Sequence, residues 1–396
     1  MSLISNYNPL PVTFTHGQGV WLYDEQDQAY LDAFSGIGVC GLGHAHPDVT
    51  HTIQQQAAKL VHTSNAFHIK EQQLLAEKLT AMTGMEQVFF SNSGAEANEA
   101  AIKLSRLYGH KKGIETPSII VMEGAFHGRT MATLTASGSR KVQAGFEPLV
   151  PGFIRAPFND IGAIRTIAAN RDDVVAVMLE PIQSDGGVLV ADETYLHAVA
   201  ALCDQNDWLL IFDEVQTGNG RTGKLFACMD TGIKPDILTT AKALGNGIPI
   251  SACLTRNRAC NLFKHGNHGS TFGGSQLACA TALTVLNVIE RDKICEKVTR
   301  KGILLKDKLI HELGDHPNIR GIRGKGLMLG IELDRPAHDI KAIGLENGLL
   351  LNVTADSVIR LLPALIISED EIDELVVRLV KTIREFVEVG VLAPSR

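Results

Sequence analysis

The apolar run at 208–212, WLLIF, stops abruptly at two acids, Asp213 and Glu214. A short continuous apolar run reads as a buried strand, and an acid at its C-terminal end points into the crevice where open α/β sheets bind ligands. A second short run, Ile237-Leu238, leads through Thr239-Thr240-Ala241 to Lys242, which sits among small residues ahead of Gly245-Asn246-Gly247 rather than on a polar helix face. A lysine and an acid on neighbouring strand ends can hold an aromatic cofactor from both sides, the amine as an imine and the carboxylate against a ring nitrogen. A structural Asp–Lys ion pair satisfies the same two residues, so the choice falls to the rest of the chain.

Three further strand ends carry chemistry. The run Gln87-Val88-Phe89-Phe90 is followed by Ser91-Asn92-Ser93-Gly94-Ala95 and an alanine-rich helical stretch, an order that places unpaired N–H groups and a positive dipole end where an anion can sit. A plain serine-capped helix is the alternative, and Gly94 and Ala95 weigh against it because both are small enough for a phosphate to reach backbone. The strand at 118–122 ends in Glu123-Gly124-Ala125-Phe126-His127-Gly128-Arg129, which offers an aromatic face, an imidazole and a guanidinium suited to a carboxylate. The strand at 174–179 ends in Glu180, with Ser184 and Asp185 close behind.

The elements that must position these groups follow the same rhythm. From about residue 86 to 255, strand, polar strand-end loop and helix alternate, which implies a mostly parallel sheet with helices on both faces. Segments at 48–60, 70–82, 276–290, 297–313 and 369–387 read as helices. The stretch 12–34 reads as a hairpin turning at 24–28, and strands are expected at 349–353 and 358–362. The fold class is therefore α/β, with a large domain over 48–290 and a smaller α+β domain formed by both termini, 1–47 and 291–396. The Gly-rich run 35–43 formally contains GxGxxG, but no helix is expected to open from it and His44-Ala45-His46-Pro47 follows, so a dinucleotide site is rejected.

Composition narrows the class. Apolar content of 45% and charged content of 20% suit a globular protein, and a net charge of −7 without a basic block speaks against nucleic acid. Seven scattered cysteines without a CxxC pair fit reduced thiols, and neither a signal peptide nor a membrane span is visible, so a cytoplasmic location is expected and no metal site is foreseen.

With these pieces in place, the chain resembles the class III, fold-type I pyridoxal-phosphate aminotransferases, closest to the acetylornithine aminotransferases. The likeness rests on GHAHP at 43–47, NSGAEANEA at 92–100, AFHGRT at 125–130, EPIQ at 180–183, FDEVQTGNGRTG at 212–223, TTAKALGNGIP at 239–249 and HGSTFGG at 268–274. It implies a large domain with a mostly parallel seven-stranded sheet and pyridoxal 5'-phosphate as cofactor. Lys242 would carry the cofactor as an imine and shuttle a proton, and Asp213 would pair with the ring nitrogen. Ser93, Gly94 and Ala95 would bind the phosphate, Val215 and Phe126 would cover the ring faces, and Gln216 would reach the phenolic oxygen, with His127 and Glu180 beside the ring. Ser270 and Thr271 resemble residues that reach the phosphate from a neighbouring subunit, which implies a homodimer with shared active sites. Arg129 resembles the arginine for the carboxylate of an acylated ornithine, and Arg360 the one for the α-carboxylate of glutamate or 2-oxoglutarate.

Three departures from the family pattern bear on substrate. Ser184-Asp185 stands where Gly-Glu is usual, and the carboxylate one methylene shorter is expected to weaken the pairing with Arg360. Asn246 replaces the middle glycine of a triplet, a tolerable change because Asn accepts positive φ. Ile37 stands where ornithine δ-aminotransferases have a tyrosine for the free α-amino group, which favours N2-acetylornithine or N2-succinylornithine as donor. The expected reaction passes the terminal amine of such a donor to 2-oxoglutarate, giving the semialdehyde and glutamate. Another ω-amine donor (4-aminobutyrate, free ornithine, a diamine or N-succinyl-diaminopimelate) is the alternative, with a non-catalytic dimer on the same fold as the more distant one.

Overall fold

The computed structural model describes residues 2–392 of the 396-residue chain. Its centre is a seven-stranded sheet in the order Gln87–Ser91, Ser251–Thr255, Ile237–Thr240, Leu209–Asp213, Val174–Leu179, Ser118–Met122, Phe153–Ala156. The strands from Ile237–Thr240 to Phe153–Ala156 all pair in parallel, and Ser251–Thr255 alone runs antiparallel to both of its neighbours. Val174–Leu179, Leu209–Asp213 and Ile237–Thr240 are buried at every position, as a sheet covered on both faces requires. That is why they read as unbroken apolar runs and not as alternating ones.

The helix Gly94–Lys111 packs across the strands Ser251–Thr255 and Ile237–Thr240 with an alanine-rich face, and small side chains there let the helix lie close to the sheet. Gln276–Arg291 leaves the sheet and packs on Pro47–Lys59 and Lys70–Thr83. Ile294–Leu313 begins three residues before the expected start, because Ile294 is itself buried and extends the apolar stripe.

Both ends of the chain meet in one sheet. The strands Phe14–Gln18, Trp21–Asp24 and Ala29–Asp32 form an antiparallel meander, and Leu349–Leu350 adds to its edge parallel to Ala29–Asp32. A second four-stranded sheet joins Ile319–Lys325, Met328–Leu333, Val358–Leu361 and Asn352–Thr354. The single strand expected at 349–353 is therefore two, shared between different sheets and divided at Leu351. Its continuous apolar pattern hid the break because each half is buried by a different partner. The last helix, Glu369–Leu392, closes over the meander: Trp21 Nε1 donates to Glu371 at 3.0 Å and the Arg378 guanidinium lies over the Trp21 ring.

The Gly-rich run 35–43 forms a tight turn in which Gly36 and Ile37 both have positive φ. Asp32 organises it. One carboxylate oxygen accepts the amides of Phe34 and Ser35, and the other meets His44 Nε2 at 2.9 Å. The bond to Asp32, with help from Cys40 and against some desolvation, raises His44 from its ordinary 6.5 to about 9. A raised histidine contributes stability that is complete below pH 6.5 and lost as the pH climbs through about 9. Thermal melts of His44→Gln against the native protein are therefore expected to differ most below pH 6.5 and to converge above about 9; a constant gap across that range would refute the pairing.

Candidate active site

The C-terminal ends of the parallel strands open into a cavity of about 450 Å³ whose walls include Lys242, Asp213, Phe126, His127, Arg129, Glu180, Asp185, Val215 and Gln216. Asp213 lies on its floor, 4% exposed. Leaving a carboxylate in such a place without donors would be costly, and three donors meet it. The Val215 amide donates to Oδ1 at 3.0 Å, while Asn98 Nδ2 and His127 Nδ1 both meet Oδ2 at 2.7 Å. Burial pushes the His127 imidazole down, but the bond to Asp213, together with the charges of Asp213 and Glu180, outweighs it and raises His127.

The sequence alone does not single out Asn98. Its side chain bridges two strands of the sheet and one loop, accepting from Thr239 Oγ1 at 2.7 Å while donating to the His127 carbonyl at 2.8 Å. A buried amide on the alanine-covered face of a helix was the available signal.

The next acid, Glu214, faces the other way and does not line the cavity. Its carboxylate accepts from Thr217 Oγ1 and from the amides of Ala227 and Cys228, which holds the long turn after the strand in place.

At the opening of Gly94–Lys111, Ser93 Oγ accepts from the Glu96 amide at 3.3 Å, and the Ser93 carbonyl accepts from Ala97 N at 3.1 Å. The amides of Gly94 and Ala95 precede these, belong to residues that line the cavity, and sit where a helix has no internal acceptors to offer. Gly94 has a second role that its small size alone did not reveal. A Cβ on it would stand 2.6 Å from Val215 Cγ1, so the glycine makes room for the valine that forms one cavity wall.

Lys242 opens a short 3-10 turn, Lys242–Leu244, with φ of +47°, a conformation costly for a side-chain-bearing residue and concentrated at functional sites. Burial lowers its pKa, the nearby Arg360 lowers it further, and Asp185, Asp213 and Glu180 oppose them. Its Nζ donates to Gln216 Oε1, and Gln216 Nε2 donates to the Ile37 carbonyl at 3.3 Å. Asn246 takes positive φ as expected and does more: its side chain accepts from Leu42 N at 2.7 Å and donates to the Gly43 carbonyl at 3.1 Å, fastening the lysine turn to the Gly-rich run.

On the opposite wall Arg129 lies over the Phe126 ring, 5.6 Å from its centroid. Glu180 accepts from the Phe126 amide at 2.9 Å, and burial pushes it up to about 8 against the opposing charge of His127. Arg360 does not itself line the cavity, but Ser184 and Asp185, which do, both bind its Nη1. The shorter Asp185 still reaches Arg360: the contact is 2.7 Å, Ser184 Oγ shares the same nitrogen at 2.8 Å, and Asn352 holds the other at 2.7 Å.

Ser270 and Thr271 stand away from this cavity. Ser270 Oγ accepts from Asn92 Nδ2 and the Gly273 amide, and Thr271 and Phe272 are exposed beside it. Ile37 is half exposed and joins the site only through its carbonyl.

The donor set fits pyridoxal phosphate. A buried acid faces where a ring nitrogen would sit, a helix N-terminus lies where a phosphate would sit, and a primary amine, Val215 and Phe126 stand around the space between. His127 Nε2, buried and without a hydrogen-bond partner among the described residues, belongs to the same wall.

Known proteins share both the sequence and the fold of this chain. Residues 3–383 match the family described as Aminotransferase class-III. The chain is 50% identical over 386 residues to a protein named acetylornithine aminotransferase from Nitrosomonas europaea, covering 98% of each. Among solved structures, the acetylornithine aminotransferase of Elizabethkingia anophelis superposes with a TM-score of 0.87 at 36% identity over 96% of each chain. An ornithine aminotransferase of Toxoplasma gondii, described with partial occupancy of PLP at its active site, superposes with a TM-score of 0.93 at 34% identity, covering 98% of this chain and 93% of that one.

The close approach of Gly94 to Val215 yields a prediction. Gly94→Ala is expected to cost about 1–3 kcal/mol through overpacking, read as a lower denaturation midpoint. An unchanged midpoint would mean that Val215 can shift at no cost.

Proposed function

The chain belongs to the class-III aminotransferases, and from that premise we propose that it moves the terminal amine of N2-acetylornithine, or of the N2-succinyl analogue, to 2-oxoglutarate, giving the semialdehyde and glutamate. The family depends on pyridoxal phosphate. When bound, that cofactor supplies the electron sink that lets a C–H bond beside the amine ionise. The observation that carries the proposal is the meeting of Lys242, Asp213, Arg129 and the Gly94–Lys111 N-terminus around one cavity.

The chain's own residues then divide the work. Lys242, its pKa lowered by burial, offers an amine able to take up and return a proton at Nζ. Asp213, its geometry set by Asn98, His127 and the Val215 amide, holds the proton of the ring nitrogen. The amides of Gly94 and Ala95, next to the Ser93 cap, hold the phosphate, Val215 and Phe126 enclose the ring faces, and Gln216 orients the Lys242 amine and reaches the phenolic oxygen. Glu180, its pKa raised by burial, anchors the Phe126 amide on the same wall.

Arg129 takes the donor's carboxylate, Arg360 the α-carboxylate of the oxo acid, and Asp185 occupies Arg360 while the donor is bound. Ile37 gives the acylated nitrogen an apolar neighbour. The exposed loop bearing Ser270 and Thr271 completes the phosphate site of a second copy in a homodimer. No helix among the described residues is long and apolar enough to cross a membrane, and all seven cysteines are free, which supports a cytoplasmic enzyme. Free ornithine is the second reading, favoured by the likeness to the Toxoplasma gondii structure and opposed by Ile37.

The test is a visible spectrum of the protein with pyridoxal phosphate, before and after N-acetylornithine. A yellow band that the donor bleaches supports the proposal, and a band that responds to free ornithine but not to its acetylated form overturns the donor assignment. Lys242→Ala is expected to remove turnover while the far-ultraviolet dichroism stays native, and residual native-like turnover would refute its role. Asp213→Asn keeps the shape but not the charge and is expected to lower kcat by about 10² or more, with cofactor still bound.

A further inference from the structure

Arg360 is 3% exposed, and the way its donors are shared has a consequence for the second half of the reaction. Nη2 is held by Asn352 Oδ1 at 2.7 Å, Nη1 by Ser184 Oγ at 2.8 Å and Asp185 Oδ1 at 2.7 Å, and Nε is buried without a partner among the described residues. Of these partners only Asp185 is charged. It is also the one that can leave: its side chain is 40% exposed, so water can replace the guanidinium when it swings away.

Asn352 cannot leave in this way. It sits directly opposite Arg360 in the antiparallel ladder between Asn352–Thr354 and Val358–Leu361, so backbone pairing fixes its distance.

We infer that Asn352 is a positioning residue for the oxo-acid half of the reaction: it locks the Arg360 guanidinium in place without neutralising it, so that a dicarboxylate can replace Asp185 on a preset fork. The inference rests on the proposed role of Arg360 toward 2-oxoglutarate. An amide is the right group for this position. A carboxylate there would be held against the guanidinium permanently and would compete with every incoming acid. An aliphatic residue would leave a buried N–H without an acceptor and the fork free to rotate.

Asn352→Asp, nearly isosteric, separates charge from shape, and Asn352→Ala removes the acceptor. The two half-reactions are measured by single turnover, N-acetylornithine on the pyridoxal form and 2-oxoglutarate on the pyridoxamine form, alongside calorimetric binding of 2-oxoglutarate to the holoenzyme. Asn352→Asp is expected to weaken 2-oxoglutarate roughly tenfold or more, in KM and in direct binding, through like-charge competition, with the donor half-reaction changed by less than about twofold. Asn352→Ala is expected to show a smaller loss with the same selectivity. Equal losses in both halves would mark Asn352 as merely structural, and unchanged 2-oxoglutarate binding in Asn352→Asp would overturn the inference outright. If the native protein ignores N-acetylornithine, the donor assignment fails, yet direct 2-oxoglutarate binding still decides the role of Asn352. If it binds no 2-oxoglutarate, the inference falls with it.

Discussion

The structure depends on keeping one carboxylate, that of Asp213, hydrogen-bonded and still at the end of a fully buried strand. An acid 4% exposed is tolerable only when its oxygens are met by donors of fixed position. Those donors come from the helix Gly94–Lys111 through Asn98, from the loop after Ser118–Met122 through His127, and from the chain itself at Val215. Each is held in turn: Asn98 by Thr239 on the neighbouring strand, and the His127 amide by Ser137 Oγ. Three elements are thus locked to one another by the need to satisfy a single side chain. Glu214 shows how strand geometry divides labour, since successive side chains leave a strand on opposite sides. One acid is turned to chemistry and the next, with its three donors, to holding a turn.

The end of the same motif is anchored differently. Arg221 is 1% exposed, and burial lowers its pKa to about 9. Its Nη1 donates to the carbonyls of Leu327 and Pro363, so the guanidinium ties the strand-end motif to the C-terminal part of the chain through neutral oxygens.

Much of this was legible because the sheet is parallel and doubly covered. Its strands are apolar without interruption, and the first polar residue after each run, Glu123, Glu180 and Asp213, marks where a strand leaves the core. Lys242 and the small residues around Gly94 were readable for the same reason. What stayed hidden was pairwise. Asn98 is an ordinary helix residue until Asp213 lies next to it, and Asn352 an ordinary strand residue until the ladder sets it opposite Arg360. Asn246 looked like a tolerated glycine replacement, whereas its amide holds Leu42 and Gly43, some two hundred residues earlier in the chain. The break at Leu351 was hidden because burial by either of two sheets leaves the same apolar trace.

The reversed direction of Ser251–Thr255 has a mechanical consequence. Because this strand is antiparallel to Ile237–Thr240, the segment between them returns at the same end of the sheet and needs no crossover helix. Lys242 therefore rides on a short span clamped at both roots by ladder hydrogen bonds, and a short closed span retains little conformational entropy. The amine's travel is then set by the four methylenes of its own side chain and not by loop motion: the fold provides a fixed pivot with a flexible arm.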